Sequence, residues 1–246
     1  MPILEGKGVT KYFGGLAAVS RVDFHVEQGE VVGLIGPNGA GKTTLFNLIS
    51  AALAPKSGTI RFKDVEITGR RPYRICRMGV ARTFQTVKVF PNMPVLDHVL
   101  LGSCFGMSPG MSSSQALRSA SATLEFVGLS AVKATPAKDL TLANQKRLEV
   151  ARALATKPEL LLLDEIMAGL NPTEVTQAMD LVIRIRDKGI TIIMIEHVMK
   201  AIMSLCDRII VLHHGQKIAE GTPQKIATSE EVIKVYLGEK AHAGSQ

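Results

Sequence analysis

The sequence predicts an α/β protein built on a parallel β-sheet, to which an antiparallel β layer and a helical subdomain are added. Three observations support this fold class. Short apolar segments typical of buried strands alternate with segments of helical spacing, which favours parallel strands connected by helices. One early segment instead alternates apolar and polar residues, as a half-buried strand does. In the middle of the chain, the alternation of strands and helices stops. Ser103 to Ser114 is rich in Ser, Gly and Met and is predicted to be a loop, and the segments after it have helical spacing.

The composition is that of a globular protein. With 246 residues, 46% apolar and 21% charged, the chain can bury a sizeable core, and we treat residues 1–246 as one domain. It contains no apolar run of the roughly 18 residues that a membrane-spanning helix needs, and its N-terminus lacks the apolar segment of a signal peptide. The net charge of +7 allows contact with nucleic acid, anionic lipid or nucleotide phosphates. Only 4% of the residues are aromatic and none is Trp, so few side chains are available to stack on nucleic-acid bases.

In the first third of the chain, the sequence predicts two strands, then a glycine-rich loop and a helix, and then a further strand. Residues 22–27 alternate apolar and polar side chains, which is typical of a half-buried strand. The apolar run Val31 to Ile35 is suited to a buried strand. A helix is predicted from about Lys42 to Ala52, before the break at Pro55 to Gly58. Residues 60–63 alternate again and are expected to form a strand of the antiparallel layer.

The rest of the chain predicts a helical region and then a return to alternating strands and helices. Helical spacing at Leu117 to Val127 and at Leu148 to Leu154 places a helical subdomain at about residues 86–152. Residues from about 222 to 246 form a C-terminal tail. The remaining predicted elements are buried strands at Leu160 to Asp164 and Thr191 to Glu196, a helix at Pro172 to Asp187, and a hairpin of Arg208 to Leu212 with Gln216 to Gly221.

The segment after the first buried strand carries a phosphate-binding pattern. Residues 36–43 read Gly-Pro-Asn-Gly-Ala-Gly-Lys-Thr, which matches G-x-x-x-x-G-K-[ST]. Glycines let backbone N–H groups turn toward phosphates, and the helix that follows offers its positive N-terminal end. Lys42 is expected to reach the β- and γ-phosphates, and the Thr43 hydroxyl to bind Mg²⁺. The sequence therefore predicts an ATP site that contains Gly36, Pro37, Asn38, Gly39, Ala40, Gly41, Lys42, Thr43 and Thr44.

A second pattern supplies acidic groups. Four leucines precede Asp164 and Glu165, so a buried strand would deliver both carboxylates at its carboxyl end. In α/β sheets, ligands bind at that end of the strands. Asp164 can hold Mg²⁺ through water, and Glu165 can polarise the attacking water as a general base. An apolar run that ends in an acidic residue is weak evidence of a catalytic site by itself. Together with the phosphate-binding loop, it indicates ATP hydrolysis.

With these two patterns in place, further segments resemble the ATP-binding subunit of ABC transporters over nearly the full length of the chain. They are Arg82 to Gln85, Ala168 to Asn171 and Glu196 to His197, which stand where that family has its Q-loop, D-loop and switch histidine. The resemblance implies a P-loop NTPase (RecA-like) core that hydrolyses ATP. It implies catalytic roles for Glu165, His197 and Gln85, Mg²⁺ contacts from Thr43, Gln85 and Asp164, and adenine stacking by Phe13, with Tyr12 as the neighbouring candidate.

The family's signature segment is altered in this chain. Where the family usually has Leu-Ser-Gly-Gly-Gln, residues 140–144 read Leu-Thr-Leu-Ala-Asn. The resemblance implies that Thr141, Ala143 and Asn144 contact the ATP bound by a partner subunit. Thr141 keeps a hydroxyl and Asn144 an amide, whereas Ala143 replaces a glycine where close backbone approach is expected. In the D-loop, Asn171 stands in place of the usual Asp, which keeps hydrogen bonding and removes a charge.

Four further segments resemble one subfamily of these ATP-binding subunits in particular. Phe90 to Leu96, Ala168 to Glu174, Lys217 to Pro223 and Val235 to Glu239 are similar to the branched-chain (hydrophobic) amino acid importer ATPases. This similarity implies a peripheral subunit on the cytoplasmic face of the cell membrane that powers the uptake of branched-chain amino acids or related small solutes. Its implied partners are membrane permease subunits, a second ATPase subunit of the same or a different kind and, indirectly, an extracytoplasmic solute-binding protein. No nucleic acid is expected as a partner.

Three other hypotheses stay open at the level of the sequence. A soluble ABC-type ATPase that acts on nucleic acid or the ribosome would suit the basic charge, but such proteins usually carry two cassettes or long coiled-coil insertions, and this chain has neither. A P-loop phosphotransferase would not need Gln85 or His197. A regulatory subunit that binds ATP without hydrolysing it would not need Glu165. The residues themselves do not identify the transported solute.

Overall fold

The computed structural model describes residues 2–106 and 112–243, with the side chains of residues 237–243 left undescribed. The chain divides into two compact units, one formed by Met1–Arg71 with Thr191–Gln246 and the other by Pro72–Ile190. Among the described residues, no helix is both long and apolar enough to cross a membrane. The predicted α/β class is confirmed, because parallel strands, an antiparallel sheet and helices are all present.

The strands and helices are numbered along the chain. The strands are β1 (Pro2–Phe13), β2 (Leu16–Glu27), β3 (Val31–Ile35), β4 (Ser57–Phe62), β5 (Val65–Glu66), β6 (Val80–Arg82), β7 (Leu160–Asp164), β8 (Thr191–Ile195), β9 (Arg208–His213) and β10 (Gln216–Gly221). The helices are α1 (Lys42–Ile49), α2 (Pro72–Met78), α3 (Val95–Phe105), α4 (Ser113–Val127), α5 (Leu142–Leu154), α6 (Pro172–Asp187), α7 (Met199–Leu205), α8 (Pro223–Ala227) and α9 (Glu230–Ala243).

An antiparallel sheet in the first unit has the strand order β2–β1–β4–β5. Its alternation follows the sequence, since Val22, Phe24 and Val26 are buried while the residues between them are exposed. This sheet is the predicted antiparallel layer. Gly6 lies so close to the Phe24 ring that an added Cβ would be 2.2 Å from it, so the ring covers the backbone of the neighbouring strand.

The parallel strands of the first unit position the phosphate-binding loop. Strand β3 pairs in parallel with β8 and with β9, and every residue of β3 and β8 is buried. Their uninterrupted apolar character suits strands that are covered on both faces. Strand β10 returns antiparallel to β9 through His214 and Gly215, whose positive φ angles of 46° and 78° are those of a two-residue hairpin turn. The predicted hairpin is thus confirmed.

In the second unit, the short strand β6 pairs in parallel with the fully buried β7. Helices α3, α4 and α5 pack on one another. The buried side of α4 is formed by small and medium apolar residues, Ala116, Ala120, Leu124 and Val127. Leu117, which the spacing placed on the apolar face, is 46% exposed. The boundaries of the helical subdomain and of the C-terminal tail stay predictions.

Two predicted boundaries are wrong. Helix α1 ends at Ile49 and not near Ala52, because Ala51 takes a positive φ of 56° and the Leu53 amide bonds back to the Asn47 carbonyl. The predicted loop Ser103 to Ser114 is helical at both of its ends. The buried Ser103 donates its hydroxyl to the Val99 carbonyl within α3, and the Ser112 side chain caps α4. Residues 107–111 of that loop lie outside the described residues.

Candidate functional site

The phosphate-binding loop leads directly from β3 into α1, as its pattern requires. The Lys42 side chain is only 6% exposed, and its ammonium group donates to the carbonyls of Gly36 and Pro37 at 2.6 and 2.8 Å. The loop therefore wraps around the lysine that is expected to bind phosphate. Thr43 is exposed at the first turn of α1.

Two of the loop glycines are required by their surroundings. A Cβ on Gly36 would lie 2.1 Å from the Leu212 carbonyl oxygen, and one on Gly41 would lie 2.3 Å from the Ala18 carbonyl oxygen. The hairpin turn between β9 and β10 also supports the loop, because the Gly215 amide donates to the Ala40 carbonyl at 3.0 Å. The loop is thereby held from two sides within the first unit.

Three other predicted residues belong to the first unit. His197 is exposed and follows the buried Glu196 just after β8, so the predicted position at the end of a core strand is present. Phe13 and Tyr12 are 49% and 47% exposed at the end of β1. Consecutive residues of a strand point to opposite faces, so one ring at most can face a nucleotide.

Asp164 occupies the carboxyl end of β7 in the second unit, and its side chain is 1% exposed. Its Oδ2 pairs with the guanidinium of Arg82 at 2.7 Å, and its amide donates to the Thr83 hydroxyl at 3.0 Å. Burial raises the pKa of the Asp164 carboxyl, and the hydrogen bond from Arg82 acts in the opposite direction. The sequence gives no sign of this ion pair, because Arg82 appears in it only as part of the Q-loop pattern and lies 82 residues from Asp164.

The second oxygen of Asp164 provides a test of whether the predicted Mg²⁺ suits these residues. Asp164 Oδ1 is buried without a hydrogen-bond partner among the residues that the structure describes. An unsatisfied buried carboxylate oxygen is costly unless a donor, a water or a cation reaches it. Hydroxyl, carboxylate and amide oxygens are the ligands that Mg²⁺ prefers. Asp164 and Gln85 of the second unit, and separately Thr43 of the first, therefore carry oxygens of the kind that fits this ion.

Glu165 follows β7 in an unusual conformation. Its φ is 52°, a left-handed value that non-glycine residues adopt rarely and mostly at functional sites. Its carboxylate accepts a hydrogen bond of 2.9 Å from the Gln85 side-chain amide, so two of the predicted catalytic residues are in contact. The Glu165 carbonyl accepts from the ammonium of Lys146 at 2.7 Å. Lys146 lies two residues after the signature segment, and the sequence pattern assigns it no role.

The altered signature segment forms the start of α5. Thr141 is the N-cap, and its hydroxyl oxygen accepts from the Asn144 amide at 3.3 Å. Ala143 is buried, whereas Leu142 is 45% exposed. Leu142 stands where the family pattern has its first glycine, so both glycines of the pattern are replaced in this chain. The segment thus exposes a leucine side chain at a position where the family pattern has a glycine, which has no side chain.

The substitution in the predicted D-loop has a structural explanation. Asn171 is the N-cap of α6, and its side chain accepts from the Glu174 amide at 2.9 Å. The Glu174 carboxylate accepts from the Asn171 amide in return, which completes a capping box. Asn and Asp are equally good at this position. The lost charge therefore leaves the start of the helix intact.

Two protein-family models match this chain. The family model described as "ABC transporter" matches residues 19–168, and a model described as "Branched-chain amino acid ATP-binding cassette transporter" matches residues 216–242. The first match covers more than half of the chain. It includes the phosphate-binding loop, Gln85, the altered signature and the acidic pair.

Similar curated proteins match nearly end to end. The chain is 41% identical to LivG of Escherichia coli K12 and 40% identical to BraF of Pseudomonas aeruginosa, with 97% of this chain and 98% of each relative covered. Both are named high-affinity branched-chain amino acid transport ATP-binding proteins. Among solved structures, a nucleotide-free ATP-binding cassette from an ABC transporter has a TM-score of 0.87 at 32% identity, over 96% of this chain and 99% of that one. A cassette in its ADP conformation has the same score and identity, over 97% and 99%.

Proposed function

This chain belongs to the ABC transporter family, and on that premise we propose that it is the ATP-hydrolysing subunit of an importer for branched-chain amino acids or related small solutes. The observation that supports hydrolysis most directly is the contact between Gln85 and Glu165 beside the buried Asp164. A carboxylate held next to an amide at the end of a buried strand can orient a water molecule and take its proton.

The roles of the residues follow from their chemistry. The ammonium of Lys42 and the amides at the start of α1 bind the phosphates of ATP. Glu165 accepts a proton from water as the water oxygen attacks the γ-phosphorus, and the bond to the bridging oxygen breaks to release ADP and phosphate. Gln85 orients that water, and His197 donates a hydrogen bond to the γ-phosphate. Mg²⁺ held by Thr43, Gln85 and Asp164 would supply positive charge to the phosphate oxygens.

The same premise extends to assembly. We propose that a second ATPase subunit, identical or different, covers the ATP bound by Lys42 with its own signature segment. In return, Thr141, Ala143 and Asn144 would face the ATP of that partner, with Leu142 exposed beside them. Closure of such a pair would drive membrane permeases that receive solute from an extracytoplasmic binding protein, and would place this subunit on the cytoplasmic face of the membrane.

The proposal is tested by identifying what the chain purifies with and what it transports. A tagged chain is isolated from native membranes in mild detergent, and the copurified proteins are identified by mass spectrometry. We expect permease subunits and a second ATPase. The complex is then placed in liposomes with its binding protein, and ATP-driven uptake of labelled leucine, isoleucine and valine is measured.

Recovery of ribosomes or nucleic acid without a permease would contradict the importer assignment. Uptake of another small solute, such as urea or an amide, with no uptake of the branched-chain amino acids would keep the importer and reject this cargo. Phosphate transfer to an added acceptor in place of release to water would favour the phosphotransferase hypothesis.

A further inference from the structure

Helix α5 carries three charged side chains at every third position, Lys146, Glu149 and Arg152. Residues spaced by three are neighbours on a helix surface. Lys146 and Glu149 are only 6% and 3% exposed, which is rare for these residue types unless they are partnered. Each of the three side chains bonds to the backbone of a segment that carries a predicted catalytic residue.

Lys146 holds the backbone of Glu165. The lysine ammonium donates to the Glu165 carbonyl at 2.7 Å, and the same carbonyl accepts from the Ala168 amide at 3.3 Å. These bonds fix the peptide that follows Glu165, and Glu165 itself has the left-handed φ of 52°. A strained conformation of this kind persists only where its surroundings hold it. The direction of the Glu165 carboxylate therefore depends on the bond from Lys146.

The other two charges hold the segment that follows Gln85. The Glu149 carboxylate accepts from the Lys88 amide at 2.9 Å, and the guanidinium of Arg152 donates to the Lys88 carbonyl at 2.5 Å. Both polar groups of one residue's backbone are thus bound by the same helix. Helix α5 consequently fixes the chain on each side of the contact between Gln85 and Glu165.

We propose that Lys146 is a positioning residue for ATP hydrolysis, which acts by holding the Glu165 carbonyl and so directing the Glu165 carboxylate at the attacking water. The inference rests on the proposed function, because it requires Glu165 to be the general base. It also gives the helix that follows the signature segment a direct connection to the catalytic carboxylate. Movement of α5 would move this carboxylate together with the Q-loop.

The first test separates kcat from nucleotide affinity. Lys146→Met keeps an unbranched side chain and removes the donor, and Lys138→Met is the matched control because Lys138 is exposed on the same unit. We expect Lys146→Met to lower kcat by roughly tenfold to a hundredfold, as small misplacements of catalytic groups do. The Kd for ATP should stay within about twofold, since no ligand contact is removed. Lys146→Arg, which keeps a donor, should recover part of kcat. An unchanged kcat would overturn the proposal.

The second test asks whether Lys146 acts through Glu165. Single-turnover hydrolysis is compared in Glu165→Gln and in the double variant with Lys146→Met. If the lysine works only by directing the carboxylate, the double variant is no slower than Glu165→Gln alone. A further loss equal to that of Lys146→Met in the parent chain would overturn the proposal. Normal hydrolysis by Glu165→Gln would instead contradict the proposed role of Glu165, so the two failures are distinguishable.

A third measurement does not depend on hydrolysis. Hydrogen–deuterium exchange of a peptide that covers residues 165–169 reports on the amide of Ala168, which shares the Glu165 carbonyl with Lys146. Exchange of this peptide should be faster in Lys146→Met and unchanged in Lys138→Met. Equal exchange in the parent chain and in Lys146→Met would show that the lysine does not hold this turn, and would overturn the proposal.

Discussion

The side-chain amide of Gln85 donates a hydrogen bond of 2.9 Å to the carboxylate of Glu165, although the two residues are 80 positions apart in the sequence. Gln85 follows β6 and Glu165 follows β7, and these strands pair in parallel. Because the carboxyl ends of parallel strands meet at one edge of a sheet, the pairing brings the two side chains together. The residues predicted for water orientation and for proton transfer are therefore in direct contact.

The exposed aromatic side chains at the end of β1 give the first prediction. Stacking of a base on an aromatic ring is worth about 1–3 kcal/mol, so Phe13→Ala should raise the Kd for ATP roughly 5- to 150-fold. Tyr12→Ala is the matched control, since the two rings are equally exposed and point to opposite faces. Fluorescence titration with an ATP analogue measures both. A larger effect at Tyr12 would assign the adenine contact to that residue.

The residues of this site could be predicted where each sits in a local pattern. The loop from Gly36 to Thr43, Asp164 and Glu165 all adjoin strands whose apolar runs are visible in the sequence, and their positions agree with the structure. What could not be predicted are partners that only the tertiary fold brings close. The bonds from Arg82 to Asp164 and from Lys146 to Glu165 join residues far apart in the chain. The hydrophobic periodicity of the sequence contains no information about such pairs.

The loop glycines give the second prediction, on stability. Gly36→Ala would place a Cβ 2.1 Å from the Leu212 carbonyl oxygen, and relief of such overpacking costs about 1–3 kcal/mol in addition to the backbone strain of its positive φ of 149°. Gly39→Ala meets nothing within 4 Å, and its φ of 77° alone costs about 1–2 kcal/mol. Urea unfolding should therefore show the larger loss for Gly36→Ala. Equal losses would mean that the crowding at Gly36 is relieved without cost.

The buried ion pair gives the third prediction. Removal of one partner leaves an uncompensated charge, so Arg82→Met should destabilise the chain by about 3–5 kcal/mol. The double variant with Asp164→Leu should recover most of this loss, because an apolar pair of similar volume replaces the charges. Arg77→Met, on the exposed side of α2, is the control and should change stability by less than about 0.5 kcal/mol. Chemical denaturation that shows no recovery in the double variant would count against the pairing.

The fully buried His98 gives the fourth prediction. Its Nε2 accepts from the Phe90 amide at 2.9 Å, so the ring is neutral, and burial holds the pKa of His98 below its ordinary value of 6.5. Arg152 lowers this pKa further, and Asp97 and the Pro94 carbonyl oppose the shift. The pKa of His98 is therefore lower in the folded state than in the unfolded state. The contribution of the neutral, buried His98 ring to the free energy of unfolding is fully present above pH 6.5, and it is lost as the pH falls from 6.5 through the folded-state pKa.

Comparison with His98→Gln isolates this contribution, since the variant does not titrate and its amide can still accept from Phe90. The free energy of unfolding of the parent chain should fall relative to the variant below pH 6.5, by at most about 1.4 kcal/mol per pH unit. Parallel pH profiles for the two chains would show that His98 is protonated equally in the folded and unfolded states.

Errors in the predicted fold have a common physical origin. The helix predicted to reach Ala52 ends earlier because Ala51 adopts a left-handed turn, and alanine, a good helix former, gives no sign of such a turn in the sequence. The loop predicted from Ser103 was inferred from composition, whereas Ser103 satisfies its hydroxyl inside the helix and Ser112 begins the next one. Small polar residues serve both in caps and in loops, so composition alone does not separate the two.

The most direct test of the account is hydrolysis by Glu165→Gln. Loss of a general base typically costs a factor of about 10²–10⁴ in rate, whereas ATP binding by the loop around Lys42 should be unchanged. Phosphate release is measured in the parent chain, in Glu165→Gln and in the control Glu125→Gln, which changes an exposed carboxylate on α4. The account predicts that Glu165→Gln alone loses hydrolysis, binds ATP normally and accumulates an ATP-bound dimer with its ATPase partner. Hydrolysis at the parent rate by Glu165→Gln would contradict it.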